Sequence, residues 1–226
     1  MARTPVRAVL LDALGTLVEL QPPAPRLRAG LLELAGVDVG GPAAARAFDA
    51  EIDHYLANHL RGCDGDGLNA LRDECAAVML TALEAPDLTR ATVRRAMLRA
   101  LEFRAFPDAL PALRALRERG VRLAVVSNWD CSLPGWLDGA GLGGLFDAVV
   151  SSAVIGAAKP SPAVFLAALE RVGATPEQAL HVGDSVEQDL EGARDAGIRP
   201  ILLVRDGRAP GGTEAIRSLG ELPSLI

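Results

Sequence analysis

Three observations in the 226-residue sequence predict an α/β fold: a Rossmann-like parallel sheet with an inserted helical cap. Short, unbroken apolar runs recur along the chain. Segments of helical period lie between most of them, and one long stretch has helical period with no convincing strand. Apolar runs that do not alternate with polar residues suit strands buried on both faces, as in a parallel sheet. Repeated strand-then-helix order builds such a sheet through right-handed crossovers. We expect at least five strands.

The first run is Ala8–Leu11. Pro22–Pro25 follows, with three prolines in four residues, and reads as a hinge linker. From there to Phe103 the apolar residues keep helical spacing. Phe48, Ile52, Tyr55, Leu56 and His59 form one face, and Leu68, Leu71, Cys75, Val78, Met79 and Ala82 a second. Val93, Leu98 and Leu101 form a third, with Thr89 as its N-cap. The sheet resumes at Arg122, after a helix over Pro107–Arg119 that stops at Gly120. The remaining runs are Leu123–Val126, Ala148–Val150, Leu180–Val182 and Ile201–Val204. Ser161-Pro162 opens a helix over Ala163–Val172, and Ser185 with Gln188 makes a capping box for one closing at Gly197. The expected domains are therefore a core of residues 1–20 and 104–226 and a helical cap of residues 21–103.

Composition excludes several function classes. At about 150 residues per domain, the length suits one domain or one with an insert. The net charge is −6, with no Lys/Arg run to face nucleic acid and only eight aromatics for base stacking. Arg3 and Arg7 precede an apolar run, but Asp12 interrupts it and it is too short to span a membrane. Cys63, Cys75 and Cys131 form no C-x-x-C pair, which suits free thiols in the cytoplasm. The expected partner is a small-molecule substrate, not nucleic acid or membrane, for a monomer or homodimer.

Ligands of open parallel sheets sit beyond the carboxyl ends of the strands. After the first run comes Asp12-Ala13-Leu14-Gly15-Thr16-Leu17, and after the second Ser127-Asn128. Lys159-Pro160 lies in the loop beyond the third, and Gly183-Asp184-Ser185 with Asp189 follows the fourth. Each alone has an ordinary explanation as a cap, a turn or a surface loop. Four in order are harder to explain that way. Carboxylates hold a hard cation such as Mg²⁺, while hydroxyl, ammonium and backbone N–H groups take phosphate oxygens. A strand-ending carboxylate is also available as a nucleophile.

These four motifs resemble those of the haloacid dehalogenase superfamily, and the resemblance covers the whole chain, including a cap just after the first motif. It is nearest to the phosphatase-like hydrolases, and it implies the strand order 5-4-1-2-3. It implies that Asp12 takes the phosphoryl group as an aspartyl-phosphate and that Ser127 and Lys159 hold the phosphate. It also implies phosphate contacts from Gly15, Thr16 and Asn128. Mg²⁺ would be held by Asp12, the Leu14 carbonyl and Asp184, with Asp189 in or beside its shell.

One position departs from the pattern. The phosphatase motif is D-x-D-G-T, and its second Asp protonates the leaving group; here it is Leu14. Dehalogenase relatives have Tyr there and need no metal, and they lack the Asp184–Asp189 motif. Schiff-base relatives need a cap lysine, whereas Lys159 is the sole lysine here. The rival readings are thus displacement of halide from a 2-haloacid, or a weak or inactive binder of phosphate ligands. His54, Tyr55 and His59 lie near one helical face of the insert, where His54 or His59 is a candidate stand-in acid and the alternative is that all three are partly exposed cap residues. Trp129, Asp130 and Cys131 are expected at the site rim.

Overall fold

The computed structural model describes residues 5–226, so Arg3 lies outside the described residues. The chain divides into two compact units, one running up to Glu19 and resuming at Arg104–Ile226, the other Leu20–Phe103.

The first unit is built on a six-stranded sheet. Its strands are β1 (Ala8–Leu11), β4 (Arg122–Ser127), β5 (Ala148–Ser151), β6 (Ala179–Gly183), β7 (Arg199–Leu203) and β8 (Ala215–Ile216). Two short strands, β2 (Val18–Leu20) and β3 (Phe103–Ala105), pair with each other where the chain leaves and re-enters the unit. The sheet order is β5-β4-β1-β6-β7-β8, with every neighbouring pair parallel. Read from the other edge, this is the expected 5-4-1-2-3 order with the two-residue β8 added outside it. All four β1 residues are fully buried, as a central strand covered on both faces requires. Leu11 lies level with Val125 and Val182, so Asp12, Ser127 and Asp184 leave the sheet at one edge.

The second unit is a bundle of α1 (Pro23–Ala35), α2 (Gly41–Asn58), α3 (Gly65–Leu83) and α4 (Arg90–Ala100). Its core joins Leu27 and Leu31, Phe48, Leu71 and Met79, and Val93 and Met97. Thr89 caps α4 as expected, its hydroxyl accepting from Thr92 N. Two expectations fail here. Pro22–Pro25 is no hinge: α1 starts at Pro23, where the missing N–H groups would have had no helical partner anyway. And α2 buries Ala44, Ala47, Phe48 and Glu51, leaving Ile52 36% and Leu56 59% exposed. Small alanines let the neighbouring helices approach, and Glu51 is bonded to the Cys75 thiol, so that side wins over the bulkier stripe.

The first unit carries α5 (Ala109–Glu118), α6 (Leu133–Gly139), α7 (Ser152–Ile155), α8 (Pro162–Val172) and α9 (Gly192–Asp195). Before α9, residues Val186–Glu191 wind as a π-helix. The box expected there is half made. Ser185 Oγ accepts from Gln188 N, but it is Asp189, not Gln188, that receives the Ser185 N–H. Against one face of the sheet, Val164, Phe165, Ala168 and Leu169 of α8 pack on Ala8, Leu10, Ala124 and Val126.

The α2 orientation gives a test. Phe48→Ala should cost about 3–5 kcal/mol by urea unfolding, as buried aromatic truncations do. Leu56→Gln should stay within about 0.5 kcal/mol. Equal losses at the two positions would contradict the assigned face.

Candidate active site

Asp12 follows β1 directly and is buried, with its backbone N–H bonded to Val182 O at 2.9 Å. Its Oδ1 accepts from Lys159 Nζ at 2.6 Å and from Ser127 Oγ at 3.0 Å. Among the described residues no protein donor reaches Asp12 Oδ2. Lys159 Nζ also donates to Asp189 Oδ1 at 2.6 Å. Ligand atoms of Asp12, Asp184 and Asp189 all lie within 4.8 Å of one another. The structure thus brings Asp12, Ser127, Lys159, Asp184 and Asp189 together from four separate strand ends.

The backbone makes this crowding possible. Gly15 has φ +83°, and a Cβ there would lie 2.1 Å from Asp184 Oδ2. A Cβ on Gly183 would fall 2.1 Å from Asp189 Cγ. A side chain at Gly15 would be strained by its backbone angle and would displace the Asp184 carboxylate, and one at Gly183 would displace Asp189. Asn128 spends its amide on the Lys159 backbone, accepting from Lys159 N at 2.7 Å and donating to Lys159 O at 3.0 Å. It therefore fixes the segment that presents the ammonium. Thr16 is wholly enclosed, and its Oγ1 has no partner among the described residues. Leu14 forms an isolated bridge with Val18 and leaves its side chain 45% exposed. Trp129 and Asp130, expected at the site rim, are enclosed, Trp129 N donating to Ser152 Oγ and Asp130 Oδ1 accepting from Ser132 N and Oγ ahead of α6. Cys131 is half-buried.

Electrostatics follow from three carboxylates facing one ammonium. Burial and the neighbouring Asp189 and Asp184 charges push the Asp12 carboxyl up to about 6, against the pull of Lys159. Burial and Asp189 likewise raise Asp184. Burial alone would raise Asp189, but Lys159 and His181 hold it well below the usual carboxylate range. Burial disfavours the Lys159 charge, and Asp12 and Asp189 overcome that and raise its pKa. Oxygen donors with uncompensated negative charge suit a hard divalent cation, so Asp12, Asp184 and Asp189 could hold one.

Three contributors escaped the sequence reading. His181, fully buried, lies with Nε2 2.9 Å from Asp189 Oδ1 and stacks edge-on against Phe165. Gln188 Oε1 accepts from Asn128 Nδ2 at 3.3 Å. Arg205 donates to the carbonyls of Gly15 and Thr16 and to Asp108. A signal for Arg205 existed: it follows the fifth apolar run, Ile201–Val204, at once, and so stands at a strand end like the other site residues.

Fold and site together define an α/β enzyme class with a carboxylate cluster at the carboxyl edge of a parallel sheet. A model of the haloacid dehalogenase-like hydrolases matches residues 6–197. The chain belongs to that family of hydrolases. It is 43% identical over 91 residues to haloacid dehalogenase-like hydrolase domain-containing protein 3 of Bos taurus, covering 40% of this chain and 36% of that protein. It is 37% identical over 102 residues to a glyceraldehyde 3-phosphate phosphatase of Methanopyrus kandleri, covering 44% and 43%. The matched segments thus span less than half the length of these curated relatives. The crystal structure of a 2-haloacid dehalogenase from Pseudomonas syringae matches with TM-score 0.70 over 97% of each chain at 22% identity, a likeness of fold alone. No helix among the described residues is long and apolar enough to cross a membrane.

Asp108 offers a pH test. Burial raises its pKa, but Arg205, Ser218 and the Leu219 N–H outweigh that and lower it. A carboxylate lowered on folding adds stability above its unfolded pKa and loses it as pH falls through the folded one. Asp108→Asn should therefore lower the melting temperature at pH 7, and the gap to wild type should shrink on acidification below about pH 4. A gap that widens in acid would contradict the assignment.

Proposed function

We propose that the chain is a Mg²⁺-dependent phosphatase of small phosphorylated metabolites, working through an aspartyl-phosphate at Asp12. The observation that carries this reading is the convergence of Asp12, Asp184 and Asp189, with Lys159 Nζ on Asp12 and Asp189 and no donor among the described residues on Asp12 Oδ2. Asp12, Asp184 and the Leu14 carbonyl would hold Mg²⁺, with Asp189 beside it. Bound there, the ion supplies charge neutralisation for the transferring phosphoryl group. Asp12 Oδ2 attacks phosphorus, the P–O bond to the leaving group breaks, and the bonding pair departs with that oxygen. Water then cleaves the acyl phosphate, releasing inorganic phosphate and restoring the carboxylate. Lys159 and Ser127 fix Asp12 Oδ1, which orients Oδ2, and Lys159 counters the negative charge gathered in the transition state. Asn128 keeps Lys159 in place through its backbone. We assign the helical unit, inserted directly after the Asp12 segment, the role of a substrate-selecting cap, and the three free thiols suit a cytoplasmic enzyme.

Hydrolysis of p-nitrophenyl phosphate should require divalent metal, stop in chelator, and fall by at least about 10³-fold in Asp12→Asn. Loss within about threefold would refute the nucleophile. Turnover of a 2-haloacid that ignores chelator would replace the reading with displacement at carbon.

Leu14 sets the substrate preference. His54 Nε2 lies 3.2 Å from Glu74 Oε2, His59 Nδ1 lies 3.0 Å from Leu56 O, and His181 is enclosed against Asp189. If no other group replaces the acid missing at Leu14, leaving groups must depart as anions. Aryl and acyl phosphates should therefore be cleaved at least about 10²-fold faster than alkyl phosphates, and Leu14→Asp should raise the alkyl rate alone. Similar wild-type rates on both classes would show that another group supplies the proton.

A further inference from the structure

Arg205 leaves the carboxyl end of β7, and its guanidinium reaches the segment that follows Asp12, 189 and 190 positions away in sequence. Nη2 donates to Thr16 O at 2.7 Å, and Nε donates to Gly15 O at 3.3 Å. Another edge of the same planar group takes Asp108 in a bidentate pair, Nη1 to Oδ2 at 3.0 Å and Nη2 to Oδ1 at 3.1 Å. The Phe106 ring lies beneath, its centroid 3.7 Å from Cζ. Asp108 is itself anchored, its Oδ2 accepting from Ser218 Oγ at 2.8 Å and Leu219 N at 2.9 Å. A surface arginine has little reason to be held by so many groups at once.

We propose that Arg205 is a positioning residue for the reaction: it clamps the Gly15 and Thr16 carbonyls and thereby sets the Asp12 loop against Asp184. The peptide plane transmits the hold. Fixing the Gly15 carbonyl also fixes the Thr16 N–H, and fixing the Thr16 carbonyl fixes the Leu17 N–H, which Ala13 O accepts at 2.8 Å. Gly15 is also where the loop backbone approaches Asp184 too closely for any Cβ. Slack at Gly15 therefore becomes slack between the first and fourth motifs. Lysine cannot replace the function, because a single ammonium lacks the fork that spans two carbonyls and a carboxylate. Phe106 and Asp108 lie just beyond β3, so the clamp also pins the strand that returns from the helical unit.

The kinetic part of this inference rests on the phosphatase reading; the structural part does not. The experiment therefore measures two things on the full chain: turnover of p-nitrophenyl phosphate with Mg²⁺, and amide exchange of the metal-free protein. Misplacement of reacting groups by about 1 Å costs up to about 10²-fold in rate. Arg205→Lys should lower kcat about 10–100-fold with KM within about threefold, and speed exchange at Gly15, Leu17 and Val18 about tenfold. Ser218→Ala is the control for stability alone, since it removes a bond to Asp108 and none to the loop. It should lower the melting temperature while kcat stays within about twofold and loop exchange is unchanged. If Arg205→Lys does not fold, Phe106→Leu removes the ring and keeps every donor, and should shift both readouts the same way by a smaller factor. Unchanged loop exchange in the clamp variant overturns the proposal, as does a kcat loss that Ser218→Ala matches. If the wild type hydrolyses no phosphate ester, the phosphatase reading fails, and exchange at the three loop amides alone decides the clamp.

Discussion

The rest of the site depends on one buried ammonium. Lys159 Nζ sits 2.6 Å from both Asp12 and Asp189, with the lysine side chain only 2% exposed. Removing it would leave carboxylates crowded together out of water, a far costlier state than a surface ion pair lost. One positive charge cannot balance Asp12, Asp184 and Asp189; burial first, and the neighbouring carboxylates second, raise the Asp12 and Asp184 carboxyls. A site that folds around this deficit suits a hard cation, which the proposed phosphoryl transfer would use.

The sheet supplies the precision. Parallel register puts Leu11, Val125 and Val182 level, so that loops from distant parts of the sequence begin at one edge. Gly15 and Gly183 then remove the side chains that would hold those loops apart. A second tier fixes what the first presents: His181 under Asp189, Asn128 on the Lys159 backbone, Arg205 on the Asp12 loop. Such support is what separates residues that are merely near from residues held in reacting geometry.

Much of this was legible in the sequence, for identifiable reasons. The central strands announce themselves because burial on both faces demands unbroken apolar runs, and the strand-end rule then leads to Asp12, Ser127, Lys159 and Asp184. The short strands Val18–Leu20 and Phe103–Ala105 and the two-residue edge strand gave no such signal, being short and only partly buried. The buried face of α2 was misread because size was taken for burial, while alanines and Glu51 pack inward. The prolines at 22–25 were misread because proline both breaks helices and begins them. His181 looked like an ordinary strand residue, since its role depends on Asp189 lying over it, and Arg205 was legible only as the residue ending the fifth apolar run, its partners being backbone atoms 190 positions away.

The central claim is that Asp12 itself carries the transferred phosphoryl group, and it can be observed directly. Protein quenched in acid during turnover of an aryl phosphate with Mg²⁺ should yield, by peptide mass spectrometry, a phosphoryl adduct on the peptide containing Asp12. The adduct should disappear when the same sample is treated with hydroxylamine, which cleaves acyl phosphates. Steady product formation with no adduct on that peptide, or an adduct on another residue, would contradict the account.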